Sequence, residues 1–236
     1  MKITQDIGIR ICGTGSSVPE RKISNDDMAT IVETNDEWIR TRTGISNRHF
    51  ADKETNLSLG MEAAEKALEM AGISKEEIGV VICATITPDN IVPSQACMLQ
   101  KELGLPETVF AFDICAACTG FLYAVHTARS LLCSMPEKKY ALVVASEVLS
   151  RVTNFADRNT CVLFGDGAGA AVITLDENSR YAFDCGAEGN TEVLYCPKYY
   201  HDTNPFAENL PEPAEQFVSM QGRAAVSYTH LTLPTI

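Results

Sequence analysis

The chain alternates apolar, strand-like runs with segments of helical spacing, and that alternation restricts it to a layered fold. The clearest run is YALVVASE at 140–147, apolar on successive positions as in a strand covered on both faces. GVVICAT (79–85), TVFAFDI (108–114), AGAAVITL (168–175) and RYAFDCGAE (180–188) read as further strands, and IGIRIC (7–12) as a short first one that runs into GTGSSVP. From Thr55 to Ala71 the apolar positions Leu59, Ala63, Ala67 and Met70 recur at helical spacing, with Gly72 as the stop. Ser24 opens a second capped helix, SNDDMATIVE, with acidic residues in its first turn. Ser74 to Glu77 makes another cap ahead of GVVICAT. A helix from near Pro93 to Leu103 has proline in its first turn, and a long one runs from Cys118 to about Cys133. DEWIRTRTGI (36–45) reads as a polar, loop-rich insertion, and 199–216, rich in Pro, Asn and Glu, as a surface loop. Strands alternating with helices predict an α/β fold with a mainly parallel central sheet.

Composition narrows the class of function. With 236 residues, 45% of them hydrophobic, the chain can bury a substantial core without staples. A net charge of -12 argues against a nucleic-acid groove or an anionic membrane surface as the main partner. The nine cysteines are an odd number, and Cys83, Cys133 and Cys161 sit in apolar runs where cysteine is a small buried hydrophobe. The opening MKITQDIGIRICG reads as a first strand and not as a signal peptide, and no window approaches the ~20 apolar residues of a membrane span. Together these features predict a cytoplasmic enzyme with reduced thiols. The last eleven residues, VSYTHLTLPTI (226–236), lack Asp, Glu, Lys and Arg in a chain that is 21% charged. They have the composition of a β-strand, but the string resembles translated sequencing adapter, so authentic sequence is expected to end near Ala224 or Ala225.

The stretch that carries chemistry is FAFDICAACTGFLYAVHTARSLL (110–132). An apolar strand ends at Ile114, Cys115, Ala116 and Ala117 make a tight turn, and Cys118 stands at the mouth of a helix whose apolar positions continue through Phe121, Leu122, Val125 and Leu132. This is a strand–turn–helix elbow of the kind that presents a nucleophile. Small neighbours let a bulky acyl thioester approach the sulfur, and the unpartnered N–H groups of a helix start can meet negative charge there.

Other readings of the same residues remain open on geometry alone. Cys118 is as readily another buried cysteine. Cys115 and Cys118 form a C-x-x-C at a helix start, the pattern of thiol–disulfide oxidoreductases, but with Ala-Ala between them and in a long α/β chain. Zinc needs a second such pair, which the sequence lacks, and His49, His126, His201 and His230 are isolated, so no metal site is expected. GDGAGA (165–170) fits a loose G-x-G-x-x-A, yet that fingerprint must open a helix, and AAVITL continues as a strand. GTGSSV after the first strand lacks the third glycine and runs into Pro19, and the glycines of both patterns read as close backbone approaches and tight turns.

DEWIRTRTGI, AFD followed by AACTGF, Asp157–Arg158 and FGDGAGAAV (164–172) occur in the order found in β-ketoacyl-acyl-carrier-protein synthase III, and the chain resembles that family from Ile7 to about Arg223. The resemblance implies a thiolase-like layered fold and the initiating condensation of type II fatty-acid synthesis, with acyl-CoA and acyl carrier protein as partners and a homodimer as the assembly. It implies a CoA thioester as substrate and no permanently bound cofactor. Cys118 matches the nucleophile that takes the acyl group. Trp38 matches the residue that stacks on the CoA adenine, and Arg158 its partner on the opposite face. Thr34 and Arg42 match positions near the nucleotide, where a basic side chain meets phosphate. Phe164 resembles an aromatic of the acyl pocket. Out of that context a single tryptophan is as readily a packing residue and Arg158 a surface ion pair.

The same resemblance divides the chain into a complete N-terminal half (1–175) carrying the nucleophile, the start of a mostly missing C-terminal half (176–225) and a non-native tail (226–236). The histidine and asparagine that serve the enolate in this family come from the second half, and no histidine here stands in a matching context. Related readings are a 3-hydroxy-3-methylglutaryl-CoA synthase, a polyketide-type ketosynthase, or an inactive fragment that binds CoA or dimerises.

Overall fold

Five runs of the chain lie side by side in one sheet, which pairs the backbone N–H and C=O groups that burial would otherwise strand. The computed structural model describes residues 2–5, 7–187, 189–196 and 217–222. In chain order the strands are β1 (Lys2–Gln5), β2 (Gly8–Ser17), β3 (Lys22–Ser24), β4 (Asn47–His49), β5 (Ile78–Ala84), β6 (Phe110–Ile114), β7 (Tyr140–Val148), β8 (Asp166–Asp176), β9 (Tyr181–Asp184), β10 (Leu194–Tyr195) and β11 (Ser219–Met220). The helices are α1 (Asn25–Ala29), α2 (Asp36–Thr43), α3 (Asn56–Ala71), α4 (Gln95–Glu102), α5 (Gly120–Leu132) and α6 (Arg158–Cys161). The loop expected at 199–216 and the tail expected at 226–236 lie outside the described residues. Among the described residues, no helix is long and apolar enough to cross a membrane.

The chain divides into two units. The first comprises Met1–Lys22, His49–Val148 and Gly165–Asp184 and contains a five-stranded sheet in the order β2-β8-β7-β5-β6. β5 pairs in parallel with β6 and β7, whereas β8 is antiparallel to both β7 and β2. The sheet is therefore mixed where alternation predicts a mainly parallel one. Parallel pairing needs a crossover that returns the chain to the same end. β5 and β6 are joined through α4, and β6 and β7 through α5, but between β7 and β8 the chain holds only the one-turn 3-10 helix Leu149–Arg151 and the four-residue α6.

Every residue of β5 is buried, and successive side chains alternate between two cores. Val81 and Cys83 join Leu142 and Val144 of β7 against Ala63, Ala67 and Leu99 of α3 and α4. Val80 and Ile82 join Ala141 and Val143 against Ala124, Ala128 and Leu132 of α5. The unit is thus a helix–sheet–helix sandwich.

α3 follows its sequence signals at both ends, but Met70, expected in its apolar stripe, is exposed, and Leu68 is buried instead. Thr55 and Ser58 form the N-terminal capping box, and Gly72, at φ 60°, ends the helix in the left-handed region. The first strand departs from expectation: β2 runs through the glycines to Ser17. Of the two uses expected of those glycines the close approach holds and the tight turn does not: they let β2 lie directly on α3. A Cβ at Gly13 would stand 2.2 Å from the Ala67 carbonyl oxygen, and one at Gly15 would stand 2.1 Å from that of Ala63. Pro93 also lies outside its helix. The Val92–Pro93 peptide is cis, and Ser94 is the N-cap, accepting from the Cys97 N–H at 3.3 Å.

The second unit comprises Ile23–Arg48, Leu149–Phe164 and Cys185–Ile236. Ser24 caps α1 through a capping box with Asp27, but the helix ends at Ala29. DEWIRTRTGI, expected as loop, is α2. Asn35 caps it, Asp36 pairs with Arg40 at 2.8 Å, and Gly44 at φ 73° ends it. Only Ile39 of this helix is fully buried, so the apolar periodicity that marks a helix in sequence is absent. Arg48, itself buried, ties the unit together by donating to Asn25 Oδ1 at 2.8 Å and to the Val162 carbonyl at 3.0 Å. Asn25 in turn donates to Asp36 Oδ1 at 2.8 Å, which fixes the start of α2.

Candidate active site

The elbow in the first unit is built from β6 outward. The Asp113 carboxylate accepts from the Gln95 and Ala96 N–H groups, each at 2.8 Å, and so caps α4. Burial pushes the Asp113 carboxyl above its ordinary range, and those two backbone bonds oppose the shift. The Ile114 carbonyl accepts from the Thr85 N–H at 3.1 Å, which pins the last residue of the strand to the end of β5. After Cys115 and Ala116 the chain reverses at Ala117, whose φ of 43° lies in the left-handed region although it carries a Cβ. Such a conformation costs on the order of 1–3 kcal/mol and persists where surrounding structure imposes it.

Cys118 follows in a single turn of 3-10 helix, Ala117–Thr119, and α5 begins at Gly120, two residues later than the sequence suggests. The Thr119 N–H and hydroxyl both donate to the Ala116 carbonyl, at 3.1 and 2.9 Å, which closes the turn. No side chain caps the start of α5. A Cβ at Gly120 would lie 3.1 Å from the Ala84 Cβ, so glycine lets α5 start hard against the end of β5. Cys118 and Cys115 are both exposed; Cys83 and Cys161 are buried as expected, but Cys133, just past the last turn of α5, is exposed. Among the described residues there is no group of three or more His, Cys, Asp or Glu side chains able to hold a metal ion. GDGAGA opens β8 as a strand, as its sequel AAVITL indicates.

The second unit holds the aromatic–cation group. The Trp38 N–H is bound by the Asn35 cap at 2.8 Å, and Arg42, one turn further along α2, places its guanidinium carbon 4.4 Å from the indole centroid. Arg158, the first residue of α6, places its own at 4.7 Å and donates to the Glu33 carbonyl at 3.1 Å. The structure therefore brings Trp38, Arg42 and Arg158 together. Thr34 lies just ahead of the Asn35 cap, with its hydroxyl buried and without a hydrogen-bond partner. Phe164 is half-buried at the end of the segment Leu149–Phe164. Asn35→Ala should cost about 1 kcal/mol; the check is a lower urea midpoint followed by the fluorescence of Trp38, the single tryptophan.

Of the histidines, His49 and His126 are described. His49 Nδ1 lies 2.5 Å from the Pro19 carbonyl oxygen. His126, on α5, stacks on Phe183 with centroids 4.2 Å apart. Neither belongs to the elbow turn. Sequence reasoning passed over Asp113 and Glu147, which brace the end of the sheet that carries the elbow. The available signal was an acidic residue inside an otherwise apolar strand, FAFDI and YALVVASEV, where a carboxylate needs several donors to be tolerated.

Residues 112–189, which contain the elbow and the β8 glycines, match the family described as 3-oxoacyl-[acyl-carrier-protein (ACP)] synthase III. A β-ketoacyl-[acyl-carrier-protein] synthase III of Clostridium acetobutylicum is 43% identical over 222 residues, covering 93% of this chain and 67% of that relative. One from Wolbachia pipientis is 48% identical over 187 residues, covering 78% of this chain and 58% of its own length. The crystal structure of the 3-oxoacyl-[acyl-carrier-protein] synthase III of Aquifex aeolicus superposes with a TM-score of 0.73 at 37% identity, covering 94% of this chain and 67% of that one. That of Thermus thermophilus gives 0.76 at 33% identity, covering 92% and 67%. The chain thus spans roughly three-fifths to two-thirds of the length of these relatives. With a mixed sheet between helical layers, an elbow at Cys118 and this similarity along nearly its whole length, the chain has the α/β thiolase-like fold and belongs to the β-ketoacyl-[acyl-carrier-protein] synthase III family.

Proposed function

We propose that this chain carries the acyl-loading centre of an initiating condensing enzyme of type II fatty-acid synthesis. The reaction joins an acyl-CoA to malonyl-acyl-carrier-protein and yields 3-oxoacyl-acyl-carrier-protein, CoA and carbon dioxide. The observation that carries the reading is the elbow: a reversal at Ala117 that presents Cys118 between the end of β6 and the uncapped start of α5.

The Cys118 sulfur attacks the thioester carbonyl, a new carbon–sulfur bond forms, and CoA leaves as its thiol with the proton. Charge gathers on the carbonyl oxygen in the transition state, and the Cys118 backbone N–H is the donor that meets it. Malonyl-acyl-carrier-protein then loses carbon dioxide, and its enolate attacks the acyl carbon. The carbon–carbon bond forms as the carbon–sulfur bond to Cys118 breaks. Residues 1–175 are in this reading the half that carries the nucleophile, and 176–225 open the second half. Incubation with acetyl-CoA should add one acetyl group to the tryptic peptide of residues 102–129, at Cys118; an unmodified peptide sinks the proposal.

Trp38 and Arg158 receive the adenine of CoA in this reading, and Arg42 and Thr34 lie beside its phosphates. The Arg158 guanidinium beside the indole supports it, because a planar cation and an indole are the two surfaces a base stacks on; at 4.7 Å the two are in contact, so Arg158 moves outward to admit the base. Stacking of a base on an aromatic side chain contributes about 1–3 kcal/mol. Trp38→Ala should accordingly weaken CoA binding roughly tenfold or more in a calorimetric titration, and CoA should quench the fluorescence of Trp38. Unchanged affinity in Trp38→Ala would remove the adenine from this position. Phe164 is assigned to the acyl pocket by the family pattern.

A homodimer fits the edge of the sheet where, among the described residues, β6 has β5 as its one strand neighbour and Phe110 is exposed. The substrate is a CoA thioester, with no permanently bound cofactor. The setting is the cytoplasm, where thiols stay reduced. A second reading, acyl loading without condensation by this chain alone, draws on the place of His49 and His126 outside the elbow. Robust β-ketoacyl product from these 236 residues would remove it.

A further inference from the structure

Glu147 is the last but one residue of β7 and stands in a run that is otherwise apolar or small. Its carboxylate collects four donors. The Ile86 N–H reaches Oε1 at 2.8 Å, and the Thr87 N–H reaches Oε2 at 3.1 Å. The hydroxyls of Thr87 and Thr85 both donate to Oε2, the latter at 3.3 Å. Thr87 Oγ1 also accepts from the Val148 N–H at 2.9 Å, and Thr85 Oγ1 from the Thr87 N–H at 3.1 Å. Asn56 closes the cluster from α3, its amide donating toward Thr85 Oγ1, the Thr87 carbonyl and the Ser146 carbonyl at 2.8–3.0 Å.

The arrangement goes beyond what fold stability asks of one side chain. Glu147 is half-buried, and a carboxylate drawn into an otherwise apolar strand is costly; replacing such a group with apolar residues is often neutral or stabilising. All four donors converge from three consecutive residues, 85–87, where the chain leaves β5. That segment has its own contact with the elbow: the Thr85 N–H holds the Ile114 carbonyl, four residues before Cys118. Gly120, two residues after Cys118, abuts Ala84. The chain on both sides of Cys118 therefore rests on residues 84 and 85, and Glu147 holds the segment 85–87 in place.

We infer that Glu147 is a positioning residue for the nucleophile: by holding residues 85–87 it sets the height and direction of the elbow that presents Cys118. This rests on the reading of Cys118 as the acyl carrier. An ionised carboxylate offers acceptors alone and so matches four donors, whereas the amide of glutamine turns two N–H groups toward donors at equal size. Displacement of a reacting group by an ångström costs up to about a hundredfold in rate.

The test compares the whole chain with Glu147→Gln and Glu147→Asp. Acetyl transfer from acetyl-CoA to Cys118 should fall about tenfold in Glu147→Gln, in the maximal rate and not in the acetyl-CoA concentration at half-saturation. Glu147→Asp, which keeps the charge, should recover part of the loss. Two other thiols report on the fold: Cys83 is buried in β5, and Cys133 is exposed at the far end of α5. Iodoacetamide should leave Cys83 unlabelled and label Cys133 at the wild-type rate. Wild-type acetylation in Glu147→Gln with Cys83 protected overturns the inference. Should Cys83 label in that variant, the comparison passes to Thr87→Val, which removes one donor and keeps the carboxylate, and wild-type acetylation there overturns it equally. A wild-type chain that takes no acetyl group instead refutes the functional reading. The role of Glu147 is then decided by the ratio of Cys118 to Cys133 alkylation, which should shift at least about threefold in Glu147→Gln.

Discussion

Cys118→Ser should abolish acetyl transfer from acetyl-CoA, lowering the rate by roughly a thousandfold or more. The substitution keeps the size of the side chain and leaves the turn intact, because the bonds that close it belong to Ala116 and Thr119 and not to the sulfur. It exchanges a thiol, intrinsically nucleophilic, for a hydroxyl that needs an adjacent base to attack at neutral pH. Neither described histidine stands in the elbow to serve as one. The measurement is a time course of the mass of the 102–129 peptide, which holds two cysteines, Cys115 and Cys118. Cys115→Ser serves as the control and should acetylate within about twofold of wild type, since the exposed Cys115 side chain takes no part in the bonds that close the turn. Acetyl found on Cys115, or a Cys118→Ser chain that acetylates as fast as wild type, would move the chemistry elsewhere.

What the sequence disclosed depended on whether the governing interaction was local. α3 was legible at both ends and over most of its face, because its caps at Thr55 and Gly72 and the stripe Leu59, Ala63 and Ala67 are properties of neighbouring residues; Met70, read into that stripe, is exposed. The elbow was legible for the same reason: a strand, three small residues and a helix are written consecutively. α2 was hidden because it buries one residue and is held by its caps and by Asn25, eleven positions upstream of Asp36. The direction of β8 depends on the absence of a crossover helix after β7, which periodicity does not report. The family motifs pointed to Trp38, Arg42 and Arg158, and the structure gathers their side chains, although Arg158 lies on a different helix from the other two. Glu147 was missed because its donors come from residues 85–87, some sixty positions away in the chain.

The β2 glycines were legible as close backbone approaches, but not that α3 is what approaches, and they lead to the largest expected loss of stability. Gly15→Ala should destabilise the protein by about 3 kcal/mol or more. The added Cβ would stand 2.1 Å from the Ala63 carbonyl oxygen and 2.7 Å from the Ala67 nitrogen. Both are backbone atoms of α3, so relief requires the helix to move as a body. α3 cannot retreat cheaply: Ala63, Ala64 and Ala67 are packed in the core, and Asn56 at its start is bonded to Thr85, Thr87 and Ser146. Against a typical stability of 5–15 kcal/mol the loss is large, and for a chain of this size it lowers the melting midpoint by about 6–12 °C. Gly169 is the control. It sits in β8 opposite Ser16, and a Cβ there meets nothing within 4 Å. Gly169→Ala should change stability by less than about 1 kcal/mol, with the reduced freedom of the unfolded chain acting in its favour. Equal midpoints for the two variants would mean that the glycines of β2 are not there to admit α3, and the contact between strand and helix would have to be looser than the geometry gives.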